Sequence, residues 1–408
     1  MTKKLLKALN NFRIVMLNGP RQSGKTTLVK QIADDKQMSY ITLDEPDMLE
    51  FAQSDPENFL NYYAKEPLVI DEIQFAPELI AYLKIRVDES NKKGQFLLTG
   101  SADFMHMHQI TESLAGRMVR YKLLPLANAE IHGKSINIIG KLFQNDSAQV
   151  HHKKSLKKVI DAIIQGGYPE ILSINQEFRN DWFSSYIESR IQKDIQELKR
   201  ISLSKLHKIK SLLQLLATYD SQILNYNTIA KKLQISNKTV LSYVELLESM
   251  YIIKTVPSYH VNTSLRVIKS PKIHFIDTGL ACHLLNVNAQ KLFIKKDSLY
   301  GGLIENFVFS ELYKQSTYCQ SRVEIYHFRD LRKKEVDFVL ENSEGGIIGI
   351  EVKAKATITK KDLKGMLELA KEAKENFING IIFYGGNKTK PISIDGQLFY
   401  CIPLAVLA

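Results

Sequence analysis

Residues 19–26, Gly-Pro-Arg-Gln-Ser-Gly-Lys-Thr, place two glycines five positions apart and follow the second with a lysine and a threonine. An apolar run at 12–17 precedes this segment, and a helical pattern follows it. Strand, glycine-rich turn and helix in this order are typical of a phosphate-binding loop, whose backbone N–H groups face an anion at the start of the helix. The segment therefore predicts an α/β domain at the start of the chain.

The loop also predicts the ligands. We expect Lys25 to reach the β and γ phosphates of a nucleoside triphosphate and the Thr26 hydroxyl to bind Mg²⁺. ATP and Mg²⁺ are the ligands that we expect. The residues predicted to contact ATP are Gly19, Pro20, Arg21, Gln22, Ser23, Gly24, Lys25, Thr26 and Thr27.

Short β-rich runs alternate with helical patterns up to residue 126. The runs cover 12–17, 39–43, 67–71, 95–100 and 119–126. Strands that alternate with helices predict a mostly parallel sheet with helices on both faces.

The run at 67–71 ends in two carboxylates, Asp71 and Glu72. We expect Asp71, at the end of a buried strand, to hold the water shell of Mg²⁺. Glu72 is the candidate that polarises the attacking water. The alternative is an acidic cap after a buried strand, without a catalytic role.

Two more residues are candidates for catalysis. Ser101 follows the strand at 95–100 and can sense the γ-phosphate from a neighbouring strand, although Thr-Gly-Ser also suits a turn. Arg117 is a candidate arginine finger, which would act on the ATP of a neighbouring subunit in a homo-oligomer. The alternative for Arg117 is an ordinary surface charge.

The charge of the chain is unevenly distributed. The net charge is +11, and residues 1–130 are nearly neutral, so the basic excess lies in the remainder. Such an excess indicates a polyanionic partner, DNA or RNA, or else solvated lysine-rich faces. Segments 225–234 and 237–250 predict a helix-turn-helix with Ser236 or Asn237 as N-cap, followed by a strand at 251–256. This module either contacts DNA or packs between domains.

Four acidic or basic residues mark the C-terminal part. Asp337 ends a charged approach, and Glu351 and Lys353 end an apolar strand on one face of it. This arrangement resembles the core of PD-(D/E)XK nucleases, in which two acids bind Mg²⁺ and the lysine orients water. The resemblance implies Asp337, Glu351 and the helical Glu305 as metal ligands and Lys353 as a catalytic residue. The alternative is an edge hairpin with exposed ion pairs.

Several stretches of the chain together resemble the AAA-type ATP-binding proteins of bacteria and archaea that carry a C-terminal domain of unknown function. The similarity covers nearly the whole chain. One departure is Lys193 before Asp194, where that family usually has Arg-Asp. The stretches that carry the resemblance are GPRQSGKTTL, VIDEIQ, LLTGSA, ESLAGR, GGYPE, NKTVLSYVELLES, FIDTGLA, GGLIENFVFSEL and EVDFVL.

We therefore predict an α/β protein with four parts. These are an AAA-type P-loop NTPase core with a parallel sheet (1–130), a helical lid (131–204), a winged-helix-like module (205–262) and a restriction-endonuclease-like α/β domain (263–408). The predicted function is ATP hydrolysis coupled to a nuclease-like domain that acts on or binds nucleic acid. The alternative is an ATP-driven switch whose C-terminal domain is an inactive docking module.

The sequence also carries expectations about location. No apolar run reaches the roughly 18 residues of a membrane-spanning helix. Three cysteines lie far apart, which favours reduced thiols. We expect a cytoplasmic protein without membrane contact.

Overall fold

The computed structural model describes residues 1–101, 114–134, 137–144, 155–189, 203–262, 264, 266, 270–294 and 298–408. The chain divides into two compact units, Met1–Pro125 with Ser249–Tyr251, and Leu126–Glu248 with Ile252–Ala408. The first break lies five residues before the predicted boundary at residue 130. The predicted lid, module and C-terminal domain all lie essentially within the second unit.

The first unit alternates helices with strands. Its helices are α1 (Thr2–Leu9), α2 (Lys25–Lys36), α3 (Pro46–Ser54), α4 (Pro56–Tyr63) and α5 (Leu79–Glu89). Its strands are β1 (Ile14–Asn18), β2 (Ser39–Thr42), β3 (Leu68–Asp71), β4 (Phe96–Gly100) and β5 (Met118–Lys122). Each strand overlaps a β-rich run of the sequence, and their bounds agree within two residues, apart from the end of β5, where residues 123–126 leave the sheet.

The five strands form one parallel sheet in the order β2-β3-β4-β1-β5. Every residue of β1, β3 and β4 is buried, as expected for central strands covered by helices on both faces. Because the strands are parallel, the carboxyl ends of β1, β3 and β4 meet at one edge of the sheet. The predicted parallel α/β core is confirmed.

The second unit begins with helices. They are α6 (Asn128–Ile131), α7 (Ile138–Phe143), α8 (Leu156–Gln165), α9 (Pro169–Ser173) and α10 (Arg179–Ser189). Lys193 and Asp194 lie outside the described residues. The next helices are α11 (Leu203–Thr218), α12 (Tyr226–Leu233) and α13 (Asn237–Ser249).

Helices α12 and α13 are the two helices of the predicted helix-turn-helix. The Ser236 hydroxyl accepts a hydrogen bond from the Thr239 backbone N–H at 3.1 Å, so Ser236 is the N-cap of α13. The strand that follows, β6 (Ile253–Val256), pairs antiparallel with β7 (Lys272–Phe275). Its partner thus comes from beyond residue 262, where the sequence placed a domain boundary.

A buried aspartate joins two of the motifs that carried the family resemblance. Asp277 caps α14 (Thr278–Leu284) by accepting the Leu280 N–H at 3.1 Å, and it accepts the Gly167 N–H at 2.7 Å. A Cβ on Gly167 would lie 2.1 Å from the Leu126 carbonyl oxygen. The Gly-Gly-Tyr-Pro and Asp-Thr-Gly motifs therefore fix the packing of helices in this unit.

The rest of the second unit is a mixed sheet with helices. The helices are α15 (Ala289–Ile294), α16 (Ser298–Tyr318) and α17 (Lys364–Ala373). The strands are β8 (Val323–Arg329), β9 (Glu335–Asn342), β10 (Ile347–Lys353), β11 (Phe377–Tyr384), β12 (Lys390–Ile394) and β13 (Gln397–Pro403).

The six strands lie in the order β12-β13-β11-β10-β9-β8. Strands β8, β9 and β10 are antiparallel neighbours, and β11 is parallel to β10 after the crossover through α17. Gly349 of β10 and Gly380 of β11 leave room for the Met366 side chain of α17, because a Cβ at either position would lie within 3 Å of it. The helix α16 thus precedes three antiparallel strands, a second helix and a parallel strand.

Candidate nucleotide site and C-terminal acidic cluster

The predicted phosphate-binding loop connects β1 to α2. Gly24 has φ of 90°, a backbone conformation that favours glycine, and directly precedes the first residue of α2. A Cβ on Gly19 would lie 2.0 Å from the Leu123 carbonyl oxygen. Both glycines of the motif are therefore required by the geometry of the turn.

The Lys25 side chain lies back over its own loop. Its ammonium donates hydrogen bonds to the carbonyl oxygens of Gly19 at 3.1 Å and Pro20 at 3.0 Å. Lys25 is 4% exposed, so its positive charge lies inside the loop that would surround phosphates. The Lys25 ammonium thus faces the carbonyl oxygens of the loop, and its contact with phosphates stays a prediction.

Asp71, at the end of β3, is the centre of a buried hydrogen-bond network. Its Oδ2 accepts hydrogen bonds from the Thr26 hydroxyl and the Tyr40 hydroxyl, both at 2.8 Å. Its Oδ1 accepts a hydrogen bond from the Thr99 hydroxyl. Burial and the neighbouring carboxylate raise the pKa of Tyr40, so this phenol remains a hydrogen-bond donor to Asp71.

The Thr26 hydroxyl and the Asp71 carboxylate fit a magnesium ion. Both are hard oxygen donors, and they lie at the end of the phosphate-binding loop. Mg²⁺ characteristically takes one or two protein oxygens together with phosphate oxygens and water. These two oxygens therefore fit a Mg²⁺ ion that also binds phosphate oxygens, and its binding here stays a prediction.

Glu72 follows Asp71 in a left-handed backbone conformation, with φ of 59°. The Thr99 hydroxyl accepts a hydrogen bond from the Glu72 N–H at 3.0 Å. The Gln74 amide donates to the Glu72 carboxylate and, at 3.1 Å, to the Ser101 hydroxyl. The structure thus joins the two predicted residues Glu72 and Ser101 through Gln74.

Tyr40, Gln74 and Thr99 were missed by reasoning from the sequence. Tyr40 and Thr99 come from β2 and β4, which flank β3 in the sheet. Their contacts with Asp71 therefore depend on the order of the strands and not on nearness in the sequence. Gln74 lies inside the Val-Ile-Asp-Glu-Ile-Gln stretch, and its spacing of two from Glu72 was a signal that could have been used.

Arg117 lies at the amino ends of the strands, opposite the carboxyl ends that carry the phosphate-binding loop. It directly precedes β5, and its carbonyl accepts a hydrogen bond from the N–H of Ile14, the first residue of β1. Its guanidinium contacts the Asp88 carboxylate through Nε at 2.6 Å and Nη2 at 2.7 Å. This hydrogen bonding lowers the pKa of Asp88. Arg117 is therefore far from the phosphate-binding loop of its own chain.

The second unit brings the predicted C-terminal residues together. Asp337 of β9 accepts a hydrogen bond from the Val352 N–H at 2.8 Å, and Glu351 of β10 pairs with Lys353. Glu305 enters from α16, where the charge of Asp337 acts on it. Burial, and then the Asp337 charge, raises the pKa of Glu305 to about 8. The alternative of an exposed edge hairpin is not what the structure contains, because Asp337 and Glu351 are buried.

A lysine that the sequence did not single out lies in the same cluster. The Lys272 ammonium of β7 is 3.0 Å from Glu305, 3.0 Å from Glu335 and 3.6 Å from Asp337. Within the described ranges, no group of three or more His, Cys, Asp and Glu side chains is arranged to hold a metal ion. A divalent cation, which prefers oxygen ligands, does not fit between Glu305 and Asp337 together with this ammonium.

Three family models match the chain. Residues 11–132 match an AAA domain, residues 156–291 match a domain of unknown function (DUF8612), and residues 300–407 match another domain of unknown function (DUF4143). No helix of the described part of the chain is long and apolar enough to cross a membrane.

Similar proteins extend over most of the chain. The uncharacterized protein Rv2008c of Mycobacterium tuberculosis is 26% identical over 357 residues, which cover 87% of this chain and 73% of that protein. The uncharacterized protein MJ1637 of Methanocaldococcus jannaschii is 26% identical over 414 residues, which cover 95% of this chain and 83% of that protein. The Walker-type ATPase PABY2304 of Pyrococcus abyssi superposes with a TM-score of 0.43 at 16% identity, covering 70% of this chain and 94% of that one. The chain therefore carries an AAA domain at residues 11–132, followed by two regions whose families have no defined function.

Proposed function

We propose that the AAA domain binds ATP with Mg²⁺ and hydrolyses it. The observation that carries this proposal is the contact between Thr26 and Asp71 beside the buried Lys25. Together these groups supply a positive charge for the phosphates and two oxygen ligands for the metal. Mg²⁺ supplies neutralisation of the charge that develops on the phosphate oxygens.

Each residue of the site has a proposed role. The turn from Gly19 to Gly24 surrounds the phosphates, and Lys25 and Thr27 contact them from the first turn of α2. Glu72 orients and polarises the attacking water. Ser101 senses the γ-phosphate, and Gln74 links it to Glu72.

Arg117 is proposed to complete the site of a neighbouring subunit in a homo-oligomer. Its position at the opposite edge of the sheet excludes contact with the phosphate-binding loop of its own chain. Arginine fingers are often supplied in trans. The Asp88 carboxylate would hold the guanidinium until a neighbouring nucleotide competes for it.

The test of ATP binding is a comparison of the wild-type chain with Lys25→Ala. Radiolabelled ATP binding and phosphate release would be measured with Mg²⁺ and with EDTA. We expect the variant and the EDTA sample to lose turnover. Unchanged binding and turnover in Lys25→Ala would contradict the proposal, whereas Lys36→Ala, at the exposed end of the same helix, should behave as wild type.

For the second unit we propose a nuclease-like domain that acts on or binds nucleic acid, with α12 and α13 in a winged-helix-like module. The observation in favour is the convergence of Asp337, Glu351 and Lys353 with Glu305 on one side of a mixed sheet. The basic excess outside residues 1–130 favours a polyanionic partner. The competing proposal is a switch whose C-terminal domain only docks a partner.

Binding and cleavage assays separate these two proposals. Single-stranded and double-stranded DNA and RNA would be tested for binding at two salt concentrations and for cleavage with Mg²⁺ or Mn²⁺. A nuclease should lose cleavage in Glu351→Ala and Lys353→Ala while ATP turnover persists. A docking switch should show a partner affinity that differs between ATP and ADP and no cleavage in any sample, including Lys272→Met, in which the ammonium no longer occupies the acidic cluster.

A further inference from the structure

The ammonium group of Lys272 lies inside the acidic cluster of the second unit. The cluster consists of Glu305, Glu335, Asp337 and Glu351, and the Lys272 residue is only 2% exposed. Its ammonium contacts Glu305 and Glu335 at 3.0 Å each. Asp337 lies 3.6 Å from the same ammonium, so this buried lysine is paired with three carboxylates.

The strand that carries Lys272 holds the ammonium in this direction. Side chains two residues apart in a strand share a face, so Lys272 and His274 of β7 point the same way. The His274 ring stacks on the ring of Phe309 of α16, with 4.4 Å between the ring centroids. Its centroid lies 5.3 Å from that of Phe338 of β9. The aromatic contacts therefore direct this face of β7 toward the helix and strand that carry Glu305 and Asp337.

The lysine belongs to a different segment from the acids. Glu305, Asp337 and Glu351 lie within the family match at 300–407, while Lys272 lies within the match at 156–291. Strand β7 pairs with β6 and has no place in the six-stranded sheet. The segment after β6 is hydrogen-bonded to His327 of β8, so Lys272 leaves the carboxylates only if β7 moves relative to the sheet that carries Glu335, Asp337 and Glu351.

The cluster also retains unused ligand capacity. One carboxylate oxygen of Glu351, Oε1, pairs with Lys353, while the buried Oε2 has no hydrogen-bond partner among the described residues. A buried carboxylate oxygen without a partner is costly, and metal coordination is one way to satisfy it. Glu351 is 6% exposed, so this oxygen is shielded from solvent.

We propose that Lys272 is a built-in counter-ion that takes the place of a divalent cation on Glu305 and Asp337, so that metal binds this cluster only when the ammonium leaves it. The inference builds on the proposed role of the cluster but concerns metal binding, not cleavage. It makes the β6–β7 pair an autoinhibitory element. Metal affinity at this site is then set by a lysine from the middle region of the chain.

The test measures Mn²⁺ binding by the full chain in equilibrium dialysis. Each background is compared with its Asp337→Asn counterpart, so that metal bound at the nucleotide site cancels. Wild type and Asp337→Asn should bind equal amounts of Mn²⁺. Lys272→Met should bind one Mn²⁺ more than the wild type, and Lys272→Met with Asp337→Asn should lose it.

The matched control is Lys334→Met. Lys334 also pairs with a carboxylate, Glu368 at 2.6 Å, but lies outside the cluster. This variant should bind Mn²⁺ as the wild type does. Binding by the wild type that depends on Asp337 and equals the binding by Lys272→Met would overturn the proposal.

Loss of folding in Lys272→Met would leave a second measurement. The wild type and Asp337→Asn would then be melted over a range of Mn²⁺ concentrations. A metal-dependent rise in the Tm of the wild type that Asp337→Asn abolishes would contradict the proposal, and equal behaviour would support it. If Lys272→Met binds Mn²⁺ without cleaving nucleic acid, the inference stands and the nuclease proposal fails.

Discussion

The hydroxyl of Thr99 donates a hydrogen bond to the carboxylate of Asp71, across the boundary between two neighbouring strands. The same oxygen accepts the N–H of Glu72 at 3.0 Å, so Thr99 fixes both of the acids on which the proposed ATPase depends. Thr99 is fully buried, and no solvent can replace it.

Thr99→Val keeps the shape of the side chain and removes both hydrogen bonds. We expect the first unit to lose about 1–3 kcal/mol of unfolding free energy, because a buried carboxylate and a backbone N–H lose a partner. ATP turnover should fall more than ATP affinity, since Glu72 loses its anchor. Urea unfolding and steady-state kinetics check this, and Thr218→Val, at the exposed last residue of α11, is the control that should change neither quantity.

Arg117→Ala should lower ATP turnover by on the order of 10³-fold if the guanidinium acts as an arginine finger. Mixing Arg117→Ala with Lys25→Ala gives a decisive measurement. Each variant supplies what the other lacks only if the finger acts across a subunit boundary, so the mixture should regain activity that neither has by itself. A mixture as inactive as its components would exclude action in trans.

Asp220 predicts a pH dependence of stability in the second unit. Burial holds the pKa of this carboxyl well above its usual value, and its Oδ2 has no hydrogen-bond partner among the described residues. The native state therefore keeps a proton that the unfolded state releases. The contribution to stability is present below the unfolded pKa and is lost as the pH rises toward the native pKa.

The neutral variant Asp220→Asn isolates this effect. Its unfolding free energy should rise relative to that of the wild type between pH 4 and pH 8, measured by urea titration at several pH values. The exposed Asp181→Asn, on α10, should track the wild type. A constant difference between Asp220→Asn and the wild type across this range would show that Asp220 is ionised in the folded chain.

Gly167→Ala tests the packing role of the Gly-Gly-Tyr-Pro motif. The added Cβ would lie 2.1 Å from the Leu126 carbonyl oxygen, a backbone atom that cannot turn away. We expect a loss of about 1–3 kcal/mol and a lower Tm. Gly301→Ala, inside α16 with no atom within 4 Å of the new Cβ, should leave Tm equal or slightly higher. Equal Tm values for Gly167→Ala and wild type would show that the helices repack freely.

Local motifs explain how much of the first unit was predictable. The predicted site residues of this unit come mainly from two short segments, residues 19–26 and residues 71–72. Within each segment the residues are contiguous, and each segment follows an apolar run that becomes a strand. The order of the strands in the sheet cannot be deduced from short contiguous segments. The hydrogen bonds that Tyr40 of β2 and Thr99 of β4 donate to Asp71 therefore became apparent only in the folded sheet.

The second unit shows the opposite case. Asp337, Glu351 and Glu305 were identified through a resemblance, and the structure brings them together. Lys272 was missed because Lys-Ile-His-Phe is a short stretch of alternating polar and apolar residues that matches no motif of a functional site. Only its pairing with β6 and the stacking of His274 on α16 place its ammonium among the acids.

Glu72→Gln tests the central claim, ATP hydrolysis at this site, most directly. The substitution preserves size and the hydrogen bond from the Glu72 backbone while removing the carboxylate that would polarise water. ATP affinity and phosphate release would be measured on the same preparation. We expect the variant to bind ATP within about twofold of wild type and to lose turnover by about 10²-fold or more. Full turnover in Glu72→Gln would contradict it.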